Sequence, residues 1–130
     1  MLRNKEVVRE LYSAFNAGDM EKFRSLITTD CEFHEADGHP VPGRWCGFDE
    51  IAKATAQIAA RLGVLDVSVD ELVADGPSRV VGLVRLNGVA ANGERYSMAV
   101  AECFLIRNGS VSEIRPYYWD MVQLHEIARP

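Results

Sequence analysis

At Gly63 the apolar pattern of this chain changes its period, and no other feature restricts the fold as strongly. Before it, Val7, Val8, Leu11, Tyr12 and Phe15 fall at i, i+1, i+4, i+5 and i+8, one stripe of an amphipathic helix. Ile51, Thr55, Ile58 and Leu62 repeat at i, i+4, i+7 and i+11 in the same way. After it, four runs read as strands: Leu65 to Ala74, Arg79 to Val89, Tyr96 to Arg107 and Ser110 to Trp119. They break at Asp75-Gly76-Pro77, Ala91-Asn92-Gly93 and Asn108-Gly109. Asn92-Gly93 and Asn108-Gly109 are hairpin signals, because both central residues of a type I′ turn need positive φ. Helices followed by a four-stranded antiparallel meander is an α+β order. With 130 residues and no repeats or linkers, a single domain over 1–130 is expected, burying roughly two thirds of its extended surface.

The punctuation refines this. Gly18 can take the left-handed position that ends the first helix, and Asp19 then caps a second whose Phe23, Leu26 and Ile27 face inward. Cys31-Glu32-Phe33-His34-Glu35 alternates with period two and reads as a short strand, followed by a loop through Ala36-Asp37-Gly38-His39-Pro40-Val41-Pro42-Gly43. Gly43 to Gly47 is expected to turn into a third helix that Asp49 caps and Gly63 closes.

Charge removes several classes of function. Fourteen basic against 19 acidic residues, a formal net charge of -5, would repel a phosphate backbone, so no nucleic-acid partner is expected. The most apolar run, Met98 to Ile106, is too short to span a bilayer and carries Glu102, and no helix pairs a basic face with an apolar one. No membrane association is therefore expected. The start, Met1-Leu2-Arg3-Asn4-Lys5-Glu6, lacks the apolar stretch of a signal peptide, which points to a soluble, cytoplasmic protein. Cys31, Cys46 and Cys103 are odd in number and show no C-x-x-C spacing, so reduced thiols are expected.

The stretch Val8-Arg9-Glu10-Leu11-Tyr12-Ser13-Ala14-Phe15-Asn16-Ala17-Gly18-Asp19, then Thr29-Asp30-Cys31-Glu32-Phe33-His34-Glu35 and the paired Gly43 and Gly47, resembles the SnoaL-like and ketosteroid-isomerase-like branches of the NTF2-like superfamily. So does the terminal Ile114-Arg115-Pro116-Tyr117-Tyr118-Trp119-Asp120. The resemblance implies a cone: three N-terminal helices packed in a strongly curved antiparallel sheet, open at one end to a small molecule. It also implies a homodimer formed through the outer sheet face. The superfamily holds isomerases, cyclases, hydrolases, dehydratases and non-catalytic binding domains, and fold does not choose among them.

The candidate residues follow from strand faces. Cys31, Phe33 and Glu35 share one face of the first strand, and if that face is inward Glu35 lies at the pocket. By resemblance it falls where ketosteroid isomerase keeps its general base. Met98, Val100, Glu102, Phe104 and Ile106 share a face, which sets a carboxyl among four apolar neighbours. Burial there either raises its pKa or is relieved by an arginine such as Arg85. By resemblance Glu102 falls where the isomerase holds a protonated acid in its oxyanion hole. The isomerase's oxyanion-hole tyrosine is replaced by Leu11, with Tyr12 one position on and turned about 100° around the helix. Tyr118 is a possible substitute. Asp120 closes the last strand and resembles the acid/base aspartate of SnoaL-like cyclases. Tyr12, Phe15, Phe33, Trp45 and Tyr118 are the aromatic candidates for the pocket wall, with Trp119 beside them. His34 and His39 match no metal motif, so no metal is expected.

These residues give an expectation of cofactor-independent proton abstraction next to a carbonyl, on a small apolar or polycyclic substrate, by Glu35 or Asp120 with Glu102 as donor. The alternative is a non-catalytic ligand-binding or dimerisation module. Convergence of at least two of the three carboxyls in one pocket would separate them.

Overall fold

The computed structural model describes residues 2–130. Its elements run α1 (Leu2–Ala17), α2 (Met20–Leu26), β1 (Ile27–Glu35), β2 (Gly43–Cys46), α3 (Phe48–Leu62), β3 (Val64–Asp75), β4 (Arg79–Val89), β5 (Arg95–Arg107), β6 (Ser110–Tyr118) and α4 (Met121–Ile127). The change of period at Gly63 is the junction of α3 and β3. Gly63 is left-handed (φ 61), and a Cβ there would lie 2.0 Å from the Val89 carbonyl oxygen, so only glycine fits both the helix end and the strand beside it. Gly18 ends α1 with φ 68 while the Asp19 amide donates to the Ala14 carbonyl, and the Asp19 carboxylate accepts from the Lys22 amide to start α2.

The six strands form one sheet in the order β2-β1-β6-β5-β4-β3. From β3 to β6 every pairing is antiparallel, as the hairpin signals require. One pairing differs from the expected all-antiparallel sheet: β1 runs parallel to β6, with Phe33 opposite Ile114. The whole stretch from α3 through the meander separates the two strands, so no hairpin constrains their direction. Register shifts within β3 against β4, within β1 and at Leu105/Ile106 bend the sheet. Of two shifts in β3, one falls at Val64/Asp66 and the other at Val69/Glu71. Val67 and Val69 face inward before it and Leu72 and Ala74 after it, which breaks the alternation that a sequence pattern assumes.

Four local expectations are corrected. Gly43 to Cys46 is not a turn but an edge strand paired with β1, Trp45 opposite Phe33. Gly47, not Asp49, is the N-cap of α3, and the Glu50 carboxylate accepts from the Cys46 amide just ahead of it. Ile27 starts β1 rather than ending α2. The chain leaves β6 at Tyr118, and a fourth helix follows that the strand reading had not anticipated. Of the two hairpin signals, Asn108-Gly109 takes positive φ at both residues, whereas in Asn92-Gly93 only the glycine does and the Asn92 side chain accepts from the Glu94 amide.

The helices α1 and α3 lie in the concavity of the sheet, α1 against β3 and β4 and α3 against β1, β2 and β3. The core between them holds Val8, Leu11, Ile51, Leu62, Met98 and Phe104, all almost fully buried. Among the described residues no helix is long and apolar enough to cross a membrane.

Candidate functional site

Between α1, α3 and the concave sheet face lies a cavity of about 100 Å³. Its wall is mostly apolar, with Leu11 and Phe15 from α1, Ile51 and Ile58 from α3, and Phe104 and Ile114 from the sheet. Besides Thr55 of α3, four polar side chains interrupt it: Tyr12, Glu35, Glu102 and Tyr118.

They form two pairs. Glu102 stands on the concave row Leu72–Gly82–Glu102–Pro116, and the Tyr12 hydroxyl donates to its Oε1 at 2.6 Å. Gly82 makes that contact possible, since a Cβ there would lie 2.6 Å from the Tyr12 hydroxyl oxygen. Arg85 is not the partner of Glu102. It sits on the other sheet face, 3.6 Å from Asp70. Burial pushes the Glu102 carboxyl above its ordinary range, against the lowering effect of the tyrosine bond, and pushes the Tyr12 phenol up as well.

The second pair closes the cone at the end of β1. Tyr118 donates to Glu35 Oε2 at 2.6 Å, while Glu35 Oε1 is buried without a hydrogen-bond partner. Desolvation raises the Glu35 carboxyl to about 8, the Tyr118 bond opposes this, and the charge of Glu102 adds to it. Two carboxyls that sense one another across an apolar space resist ionising together, so their protons come off in coupled steps. Behind Glu35, His39 is buried with Nε2 3.5 Å from Oε2, and burial lowers its pKa to about 4.

The cavity thus brings together Glu35, Glu102, Tyr12, Phe15, Phe33 and Tyr118. Trp45 and Asp120 stand apart from it. Trp45 stacks on Phe33 from β2, with ring centroids 5.5 Å apart. Asp120 caps α4, its carboxylate accepting from the Gln123 amide at 3.0 Å. His34 lies within β1, whereas His39 lies in the loop after it, beside Glu35. His34 is 3.0 Å from Glu32 Oε1 and 3.6 Å from Glu113 Oε1. Among the described residues no group of three or more His, Cys, Asp and Glu side chains is arranged to hold a metal ion.

Two features of the site escaped the sequence reading. His39 carries no local sign of its place, because nothing in the sequence indicates that a loop with two prolines folds back onto Glu35. Tyr12 was placed among the pocket candidates, but its hydroxyl bond to Glu102 spans 90 positions and has no local signal. The replacement of tyrosine by Leu11 had suggested a missing donor. In the structure both Leu11 and Tyr12 reach the cavity wall, and Tyr12 carries the hydroxyl.

Solved structures share this architecture. Bal32a, from a soil-derived mobile gene cassette, is 24% identical with a TM-score of 0.87, over 98% of this chain and 97% of that one. An NTF2-like protein of Burkholderia pseudomallei is 21% identical with a TM-score of 0.86, over 100% of both chains. TerC, co-crystallised with polyporic acid, is 21% identical with a TM-score of 0.85, over 96% of this chain and 97% of that one. At these identities the likeness shows a common fold, the NTF2-like cone. The model of the SnoaL-like domain matches residues 8–114, most of the chain and all of the cavity wall except Pro116 and Tyr118, and the protein therefore belongs to the SnoaL-like domain family.

Proposed function

We propose that the cavity binds a small apolar carbonyl compound and moves a proton at the carbon beside the carbonyl, without metal or cofactor. The observation that carries this reading is the convergence of two tyrosine-paired carboxyls in one apolar cavity. Glu35, titrating at about 8, is basic enough to take a carbon-bound proton and is still partly ionised near neutrality. Its Oε1, free of protein partners, receives that proton. The electron pair released at carbon moves onto the carbonyl oxygen, which then needs a donor. Glu102, kept protonated by burial, supplies one: Oε1 accepts from Tyr12, so its own proton sits on Oε2. Return of the proton from Glu35 to another carbon completes an isomerisation, and attack of the enolate carbon on a second carbonyl, whose oxygen then takes the proton from Glu35, completes a ring closure.

The volume favours the smaller of the expected ligands. At about 100 Å³ the space suits a molecule of roughly one ring, since an apolar cavity of about 150 Å³ takes up benzene. A polycyclic ligand would have to spread α1 from β3. The crystal of TerC with polyporic acid supports a small-molecule occupant for this fold.

A second reading keeps the ligand and drops the chemistry. It draws on the tyrosine partner of each carboxyl, which satisfies these groups without any substrate.

The experiment is exchange of α-hydrogens with deuterated solvent, followed by NMR over a panel of small cyclic and aromatic ketones. Glu35→Gln is expected to lower exchange about 10²- to 10⁴-fold with ligand binding retained, because the amide keeps the size but cannot take a proton. Asp120→Asn, which preserves a good N-cap, is expected to leave exchange unchanged. Binding without exchange by the wild-type protein would favour the second reading.

The homodimer is likewise a proposal. On the outer sheet face Leu83, Ala101 and Tyr117 align across three strands, and Tyr117 and Trp119 are 57% and 83% exposed. An apolar patch of this kind fits a second copy of the same sheet.

A further inference from the structure

We infer that His39 is a positioning residue for the proton on Glu35: its Nε2 and the Tyr118 hydroxyl both lie against Oε2, which leaves Oε1 as the oxygen that exchanges a proton with the bound molecule. This rests on the reading of Glu35 as the proton-carrying group of the cavity.

The tautomer of His39 is set by its own loop. The Val41 amide lies 2.8 Å from Nδ1, and an amide N–H can only donate, so Nδ1 keeps its lone pair and a neutral ring carries its proton on Nε2. The ring is neutral because it is buried and because Arg61 from α3 and His125 from α4, both cationic when ionised, oppose a positive charge on it. From β1 and β6 it meets Glu35 and Tyr118, its ring centroid 4.9 Å from that of Tyr118. The loop is fixed just ahead of the ring, by the His39 amide on the Ala36 carbonyl at 2.9 Å and by His125 Nε2 on the Gly38 carbonyl at 2.6 Å.

Glu35 and His39 side chains are 1% and 0% exposed, and Glu35 Oε1 and His39 Nε2 are both buried without a made hydrogen bond. At 3.5 Å the Nε2–H is a few tenths of an ångström beyond a hydrogen bond to Oε2. With Glu35 protonated, Oε2 receives the Tyr118 hydroxyl and faces the imidazole N–H, so the carboxyl proton sits on Oε1. When that proton leaves, negative charge on Oε2 draws the N–H into a charge-assisted bond. His39 is not part of the cavity wall and acts only through Glu35.

The test is NMR of the full chain carrying ¹⁵N-histidine and ¹³C-carboxyl glutamate. In the wild-type protein His39 is expected to show an unprotonated Nδ1 and a protonated Nε2 from about pH 5 to about pH 9. A proton on Nδ1 would overturn the inference with no variant needed. His39→Phe is expected to raise the titration midpoint of Glu35 by about one unit or more, and His39→Gln, which restores a donor at the Nε2 level, to return most of that shift. Midpoints unchanged in both variants would overturn it. The titration reads Glu35 whether or not any ketone is turned over, so absence of turnover counts against the proposed function alone. Turnover whose pH profile ignores His39→Phe counts against this inference alone.

Discussion

Glu35 and His39 depart from their ordinary values in opposite directions, and stability must follow both. Glu35 holds its proton to about 8 in the folded chain against 4.5 unfolded, so between those values the folded state binds more protons and stability falls as pH rises. His39 is lowered from 6.5 to about 4, so the unfolded state binds more protons in that window and stability rises with pH there. The two effects oppose one another below about 6.5, and only the loss from Glu35, joined by the raised Glu102, remains above it. Urea unfolding of the wild-type protein is therefore expected to lose stability between about pH 6.5 and about pH 8, and Glu35→Gln to flatten that decline. An undiminished slope in the variant would mean that Glu35 is already ionised at neutral pH.

At the scale of elements, α4 is the piece whose role differs most from its reading as sequence. Along the strand pattern Asp120 reads as a strand-end acid, but its carboxylate caps a seven-residue helix that buries Leu124 and Ile127 and sends His125 to the Gly38 carbonyl. A cap signal was present, Asp120 followed by apolar residues at Leu124 and Ile127, but the apolar stretch before it favoured continuing the strand. Asp120→Ala is expected to cost about 0.5–2 kcal/mol in thermal or urea unfolding, and Asp120→Asn close to nothing. If the alanine variant unfolds normally but stops proton exchange, Asp120 belongs to the chemistry after all. The strand β2 was missed for a related reason: four residues with a glycine at the start, hydrogen-bonded to β1 on one side only, carry too little periodicity to stand out from a turn.

Over the whole molecule, the sheet separates two environments. Its concave face holds the cavity and both carboxyls, and its outer face leaves Leu83, Tyr117 and Trp119 in solvent. If a second copy covers that face, sedimentation should give twice the mass of 14.5 kDa at micromolar concentration, and Tyr117→Arg should return the protein to monomer without moving the Glu35 titration. A wild-type monomer at every concentration tested would remove the dimer and leave the cavity argument as it stands.

What the sequence determined by itself was local and periodic: the helices α1 and α3 with their glycine ends, the four-strand meander, the Asn108-Gly109 turn and the placing of Glu102 on an apolar strand face. These follow from side-chain spacing along one element, which a chain carries before it folds. Only the tertiary structure decided that β1 lies parallel to β6, that Tyr12 meets Glu102 across 90 positions and Tyr118 meets Glu35 across 83, and that His39 folds back behind Glu35. The reason is physical. Those contacts depend on how the elements bend and close on one another, through register shifts in the strands and a loop pinned by α4, and no periodicity within a single element encodes them.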